Sequence, residues 1–108
     1  MSVMKHPIMP DRLRKVPPGF GWVDHRFVRE RHVEGVSCRA LALYLFLVTV
    51  ADGDGLSHWG EQSIARLMSV TAPEVRHARC ELLSRDLVAY DAPLWQVLSL
   101  PKEVRDEA

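Results

Sequence analysis

Asparagine is absent from this chain of 108 residues, lysine stands at only three positions and cysteine at two. Cys38 and Cys80 are too few and too scattered for a disulfide framework, and Cys38, opening a strongly apolar stretch, reads as a small core residue. An excess of charge is also missing. Fourteen basic and fourteen acidic residues cancel, which counts against strong nonspecific attraction to nucleic acid, since domains that bind it are commonly basic. No run is long enough for a bilayer. The longest nearly apolar stretch, Ala40 to Ala51, falls well short of the roughly 20 residues a spanning helix needs. The first fifteen residues are charged and hold two prolines, unlike a signal peptide, so a cytoplasmic protein is expected. Phosphate-cradling glycine loops, a nucleophile elbow and kinase signatures are all lacking, and no pair of carboxylates stands out. Neither an enzyme nor a cofactor is therefore expected. His77 and Cys80 are three apart on one helix and could both touch a metal. With no second pair at zinc-like spacing, and with His6, His25, His32 and His58 dispersed, no metal site is expected. Asp52-Gly53-Asp54-Gly55 superficially resembles a calcium loop. Counted from Asp52, the fifth, sixth and twelfth places hold Leu56, Ser57 and Ser63 in place of a ligand, a glycine and a glutamate, so the stretch reads as a turn.

What is present suits one globular domain, at 47% hydrophobic and 26% charged residues. Residues 1–21 carry four of the seven prolines and form a basic arm, extended or disordered alone, with Lys5, Arg12, Arg14 and Lys15 against Asp11. Residues 22–101 form the folded domain. Residues 102–108 form an acidic tail, with Glu103, Asp106 and Glu107 against Arg105. Trp22-Val23 starts a short strand or simply packs. Asp24 is a credible N-cap for a helix over His25 to Val33, with Gly35 just beyond it. Ser37 caps the main helix, Cys38 to Ala51. Leu41, Leu43, Tyr44, Leu45, Phe46, Leu47, Val48 and Val50 leave that helix no polar face, so burial on all sides is expected. Either the arm and the first helix cover it, or a second copy does, and a homodimer is the expectation.

The most informative stretch is residues 56–100. Leu56-Ser57-His58-Trp59 reads as a short strand. A helix over Glu61 to Met68, a turn at Ser69-Val70-Thr71 and a helix over Ala72 to Arg85 follow. Leu87 to Tyr90 and Trp95 to Leu100 then read as a strand pair. Thr71-Ala72-Pro73-Glu74 fits a capping box, with the Thr71 hydroxyl accepting from the amide of residue 74 and Glu74 reaching back to that of Thr71. Pro73 is tolerable because first-turn amides lack intrahelical partners. Ile64, Ala65 and Met68 face inward from one helix, and Val75, Ala78 and Leu82 from the other. A plain helical hairpin in a small α protein is the blander reading, but it leaves the strand pair unexplained.

In these residues the chain resembles the winged helix-turn-helix superfamily. Ile64-Ala65 matches its apolar-small step, Met68-Ser69-Val70-Thr71 its turn and Val75 the inward valine of its recognition helix. Asp86-Leu87-Val88 matches the step into the wing, with Asp86 where glycine is usual; aspartate tolerates left-handed backbone better than most residues. Arg79 departs from the pattern, standing where relatives carry a buried leucine. Either Leu83 takes over that packing or the helix is rotated. The resemblance implies a mainly α fold with a small β-wing. It also implies sequence-specific binding of double-stranded DNA, by a small bacterial transcription regulator or a replication accessory of a plasmid, phage or transposon. An arginine-rich chain without asparagine fits a GC-rich bacterial genome. The base-reading positions so implied are Ala72, Pro73, Glu74, Arg76, His77 and Cys80, with Arg76 able to grip guanine O6 and N7. Phosphate contacts fall to Ser63, Arg66, Thr71 and Arg79, and to Arg12, Arg14 and Lys15 of the arm, because the wing tip Asp91-Ala92-Pro93 has no basic residue. No small-molecule effector is identified. The alternative is a protein-interaction module without DNA binding, favoured by the zero net charge.

Overall fold

Among the described residues, two of the four α-helices start at an N-cap whose side chain accepts a first-turn amide. In the computed structural model, which describes residues 5–15 and 17–100, helices α1 (Arg26–Arg29), α2 (Cys38–Val50), α3 (Glu61–Met68) and α4 (Ala72–Ser84) accompany strands β1 (Leu56–His58), β2 (Val88–Asp91) and β3 (Leu94–Val97). The acidic tail lies outside the described residues. Among the described residues the arm holds one 3-10 turn, Pro10–Arg12. Asp24, expected as the cap of α1, lies one residue before its N-cap His25 and accepts the Arg26 amide at 2.9 Å. Ser37 caps α2 by accepting the Ala40 amide at 3.1 Å, and Thr71 caps α4 by accepting that of Glu74 at 3.2 Å. Such caps replace partners that a helix cannot supply itself.

Residues Asp52 to Gly55 form the expected turn. The Asp52 carboxylate accepts the amides of Asp54 and Leu56 at 2.8 and 3.0 Å. Gly55 has φ +86°, and a Cβ there would stand 2.6 Å from the Val97 carbonyl. The chain then enters β1, which pairs antiparallel with β3 through Leu56↔Gln96 and His58↔Leu94. β2 pairs with the other edge of β3 from Val88↔Val97 to Asp91↔Leu94. The sheet order β1-β3-β2 makes β3 central, and its Trp95 is fully buried, the indole N–H donating to the Trp59 carbonyl at 3.1 Å. One core joins the sheet to α2, α3 and α4 through Leu43, Leu47, Ile64, Val75, Leu82, Leu87 and Trp95. Burying an aliphatic side chain of this size contributes about 1.5–3 kcal/mol.

Four further expectations need correction. The first helix ends at Arg29, short of Val33, because the backbone turns left-handed at Arg31 (φ +62°) and the Val33 amide returns to the Phe27 carbonyl. Trp22-Val23 is neither strand nor packed, with Trp22 72% exposed. Of the two ways to cover α2, the one within a single chain fails, because the described arm and the first helix do not close over it. Ala40, Leu43, Tyr44 and Leu47 are buried, whereas Cys38, Ala42, Leu45 and Thr49 form an exposed stripe, with Leu45 61% exposed. Cys38 is thus a surface residue, not a core one: as the first residue of α2 it projects with that stripe. Among the described residues no helix is long and apolar enough to cross a membrane.

Candidate nucleic-acid interface

The turn between α3 and α4 fixes how α4 is presented. Ser69 ends α3 in the left-handed region (φ +60°), and the Val70 amide folds back to the Ala65 carbonyl at 3.0 Å. The capping box closes with the Thr71 amide donating to Glu74 Oε1 at 2.9 Å. Val75, Ala78 and Leu82 are then buried, which turns Pro73, Arg76, His77 and Cys80 to solvent on the opposite face. Ala72 and Glu74 sit half-buried at its edges. The Glu74 carboxylate is already engaged, by the Thr71 amide and by Arg39 of α2 at 3.2 Å. That backbone hydrogen bond above all, and the Arg39 charge after it, hold Glu74 below the ordinary carboxylate range. Thr71 is exposed although its hydroxyl serves the cap, and Ser63 is half-buried. Arg66 is exposed and, among the described residues, forms no ion pair. No third His, Cys, Asp or Glu among the described residues joins His77 and Cys80 in a metal-sized group.

Arg79 occupies the place of the expected leucine without rotating the helix. Its side chain is only 14% exposed. The guanidinium lies 4.3 Å from the centroid of the Tyr90 ring and 5.9 Å from that of Trp95, and Nη1 donates to Glu61 Oε2 at 2.8 Å. Leu83 does not take over the packing and stays 40% exposed. A guanidinium is weakly hydrated and planar, so it can stack on aromatic rings while a carboxylate matches its charge. Glu61 also accepts from Arg76 Nη1, through Oε1, at 2.9 Å. The hydrogen bond from Arg79, ahead of that from Arg76, draws the Glu61 carboxyl below its ordinary value.

At Arg14 and at Gly21, where it joins the domain, the basic arm lies away from this face. Gly21 lies against the Val48 carbonyl, whereas Arg39 of the same helix reaches Glu74 of α4. Nine residues separate Val48 from Arg39, about two and a half turns, so the two point to opposite flanks of α2. Arg14 lines a groove on the arm's side with Trp22, Val28, Leu45 and Val48. Arg12 and Lys15 are exposed near it along the chain. The tip of the β2–β3 hairpin, Asp91-Ala92-Pro93, is exposed.

Glu61, Arg39 and the two ring partners of Arg79 were not singled out by the sequence. A faint signal existed: Arg76 and Arg79 stand three apart on α4, and Glu61 is the only acid on α3. Comparison with family models, with curated proteins and with solved structures found no match.

Proposed function

We propose that the chain is a winged helix-turn-helix protein, mainly α with a small β-wing, that binds double-stranded DNA and is not an enzyme. In this reading α4 enters the major groove, α3 backs it and the β2–β3 hairpin is the wing. The role is that of a transcription regulator or of an accessory to replication of a mobile element. One observation carries the reading. Behind a capped turn, α4 buries Val75, Ala78 and Leu82 and offers Pro73, Arg76, His77 and Cys80 on its free side. Arg76 is the base reader, and Arg66 a phosphate contact. The protein acts as a homodimer on two-fold sites, joined through the exposed apolar side chains beside α2.

Selection from random duplexes, followed by salt titration of the best binder, tests this. Arg76→Ala is expected to cost about 1–3 kcal/mol on the selected site and to relax preference at one base pair. Arg66→Ala should weaken all sequences alike and lower the salt slope by about one counterion. Absence of duplex binding at about 50 mM salt would sink the reading, since even nonspecific phosphate contacts register there. The exposed Leu67 and Leu83 favour a second reading in that event, in which the same helices dock a protein partner.

A further inference from the structure

The Arg76 side chain is half exposed, at 49%. It is nevertheless restrained. Nη1 donates to Glu61, and Nε and Nη2 have no partner among the described residues. The restraint is itself anchored, because the other oxygen of Glu61 is held by Arg79, which is clamped beneath the hairpin against Tyr90. A continuous line of contacts therefore runs from the hairpin ring through Arg79 and Glu61 to Arg76.

We propose that Glu61 is a specificity-setting residue of the DNA interface: it fixes the direction of the Arg76 guanidinium and offsets its charge, so that Arg76 discriminates between bases instead of gripping phosphate wherever it meets it. The inference rests on the DNA-binding reading above. A free arginine on a groove-facing helix is a general phosphate ligand, because its long stem can swing to any nearby anion. Reading guanine requires the fork to lie in the plane of the base with two N–H groups aimed at O6 and N7. A carboxylate that holds one N–H and leaves the others free orders the fork before DNA arrives, which lowers the ordering cost on the correct site. The same negative charge lies close to where phosphates pass, and it penalises complexes in which Arg76 is merely an electrostatic contact. Arg79 is a positioning residue in this arrangement and does not touch DNA.

The test uses the full chain, the duplex chosen from the random pool, copies changed at the base pair that Arg76→Ala relaxes, and an unrelated duplex. Glu61→Gln is expected to lower discrimination at that one base pair about tenfold. It should also raise affinity for the unrelated duplex and steepen its salt dependence by about one counterion. Lower discrimination together with tighter binding of the unrelated duplex is the signature. If Glu61 only supports the fold, both affinities fall together with base preference intact, and the proposal is overturned. If Glu61→Gln does not fold, Glu61→Asp replaces it: it keeps the charge but is one methylene too short to span both arginines, and should lose discrimination while leaving the unrelated duplex unchanged. Nitrogen NMR of the free wild-type protein gives an independent reading. Slow guanidinium rotation at Arg76 is expected, and rotation as fast as at Arg66 would overturn the proposal. An unaltered protein that binds no duplex removes the DNA reading and this proposal together, whereas binding with unchanged discrimination in Glu61→Gln removes this proposal alone.

Discussion

At the scale of residues, carboxylates do more of the organising than the neutral formal charge suggests. Glu61 ties α3 to two arginines of α4, Glu74 ties α4 to α2 through Arg39, and Glu81 of α4 accepts the amide and hydroxyl of Ser37 at the start of α2. Hydrogen bonds, from Arg79 at Glu61, the Thr71 amide at Glu74 and the Ser37 amide at Glu81, hold all three below the ordinary glutamate value of 4.5. Asp24 is lowered to about 2, chiefly by hydrogen bonding from the Arg26 side chain. A carboxylate depressed in the folded chain holds fewer protons there than in the unfolded chain, so its stabilisation is complete above the ordinary value and lost as pH falls through the folded value. Urea unfolding should therefore give constant stability from neutrality to about pH 5 and a decline below it. Glu81→Gln should shallow that decline. The groups are half-buried at the surface, within reach of counterions, so the acid limb should also shrink in part in high salt. A stability that rises on acidification would contradict these bonds. Local partners were legible at this scale and distant ones were not. The Thr71–Glu74 box spans four consecutive residues and follows from propensity, whereas Glu61 lies 15 and 18 residues from Arg76 and Arg79. Nothing short-range announces that contact.

At the scale of elements, the sequence marked starts better than ends or faces. The helix over Glu61–Met68 and the pairing between the segments around Val88 and Val97 stand where expected. Periodicity is strong in α3, where Ile64, Ala65 and Met68 alternate with Gln62, Ser63 and Arg66. In α2 it is hidden, because Leu45 and Leu47 are the same residue type on opposite faces, one exposed and one buried. Only tertiary neighbours tell them apart. The first helix is overstated for a related reason: its end is set by a left-handed Arg31, which no breaker residue advertises. The Asp52–Gly55 turn was readable, and its energetic weight is testable. Gly55→Ala must place a Cβ in a left-handed residue 2.6 Å from the Val97 carbonyl, so it should destabilise the chain by more than about 1 kcal/mol in thermal or urea unfolding. At Gly53 an added methyl would meet nothing within 4 Å and the backbone is not left-handed, so Gly53→Ala serves as the control. Equal stability of the two variants would mean that β1 is not anchored through Gly55.

At the scale of the whole molecule, a core that closes stands beside a flank that does not. Leu43, Leu47 and Tyr44 turn inward on α2, yet Leu45 on its outer stripe is joined around one groove by Trp22, Val23 and Val28, all exposed. Scattered exposed apolar residues are ordinary, but several lining one groove mark a contact surface. On the proposed DNA-binding reading a second copy of the chain is the proposed occupant, and light scattering at micromolar concentration is then expected to give about twice the 12.3 kDa chain mass. Leu45→Glu is the decisive variant. Leu45 contributes little to the core of one chain, so the substitution should leave secondary structure and core packing intact while placing a charge in the groove. It should halve the measured mass, and it should weaken binding to a two-fold duplex far more than binding to a single half-site, because the linkage between two recognition helices is lost. A wild-type chain that remains at 12.3 kDa across the accessible concentration range, with Leu45→Glu binding both duplexes as wild type does, would show that the groove is simply surface. α4 would then have to read DNA from a monomer.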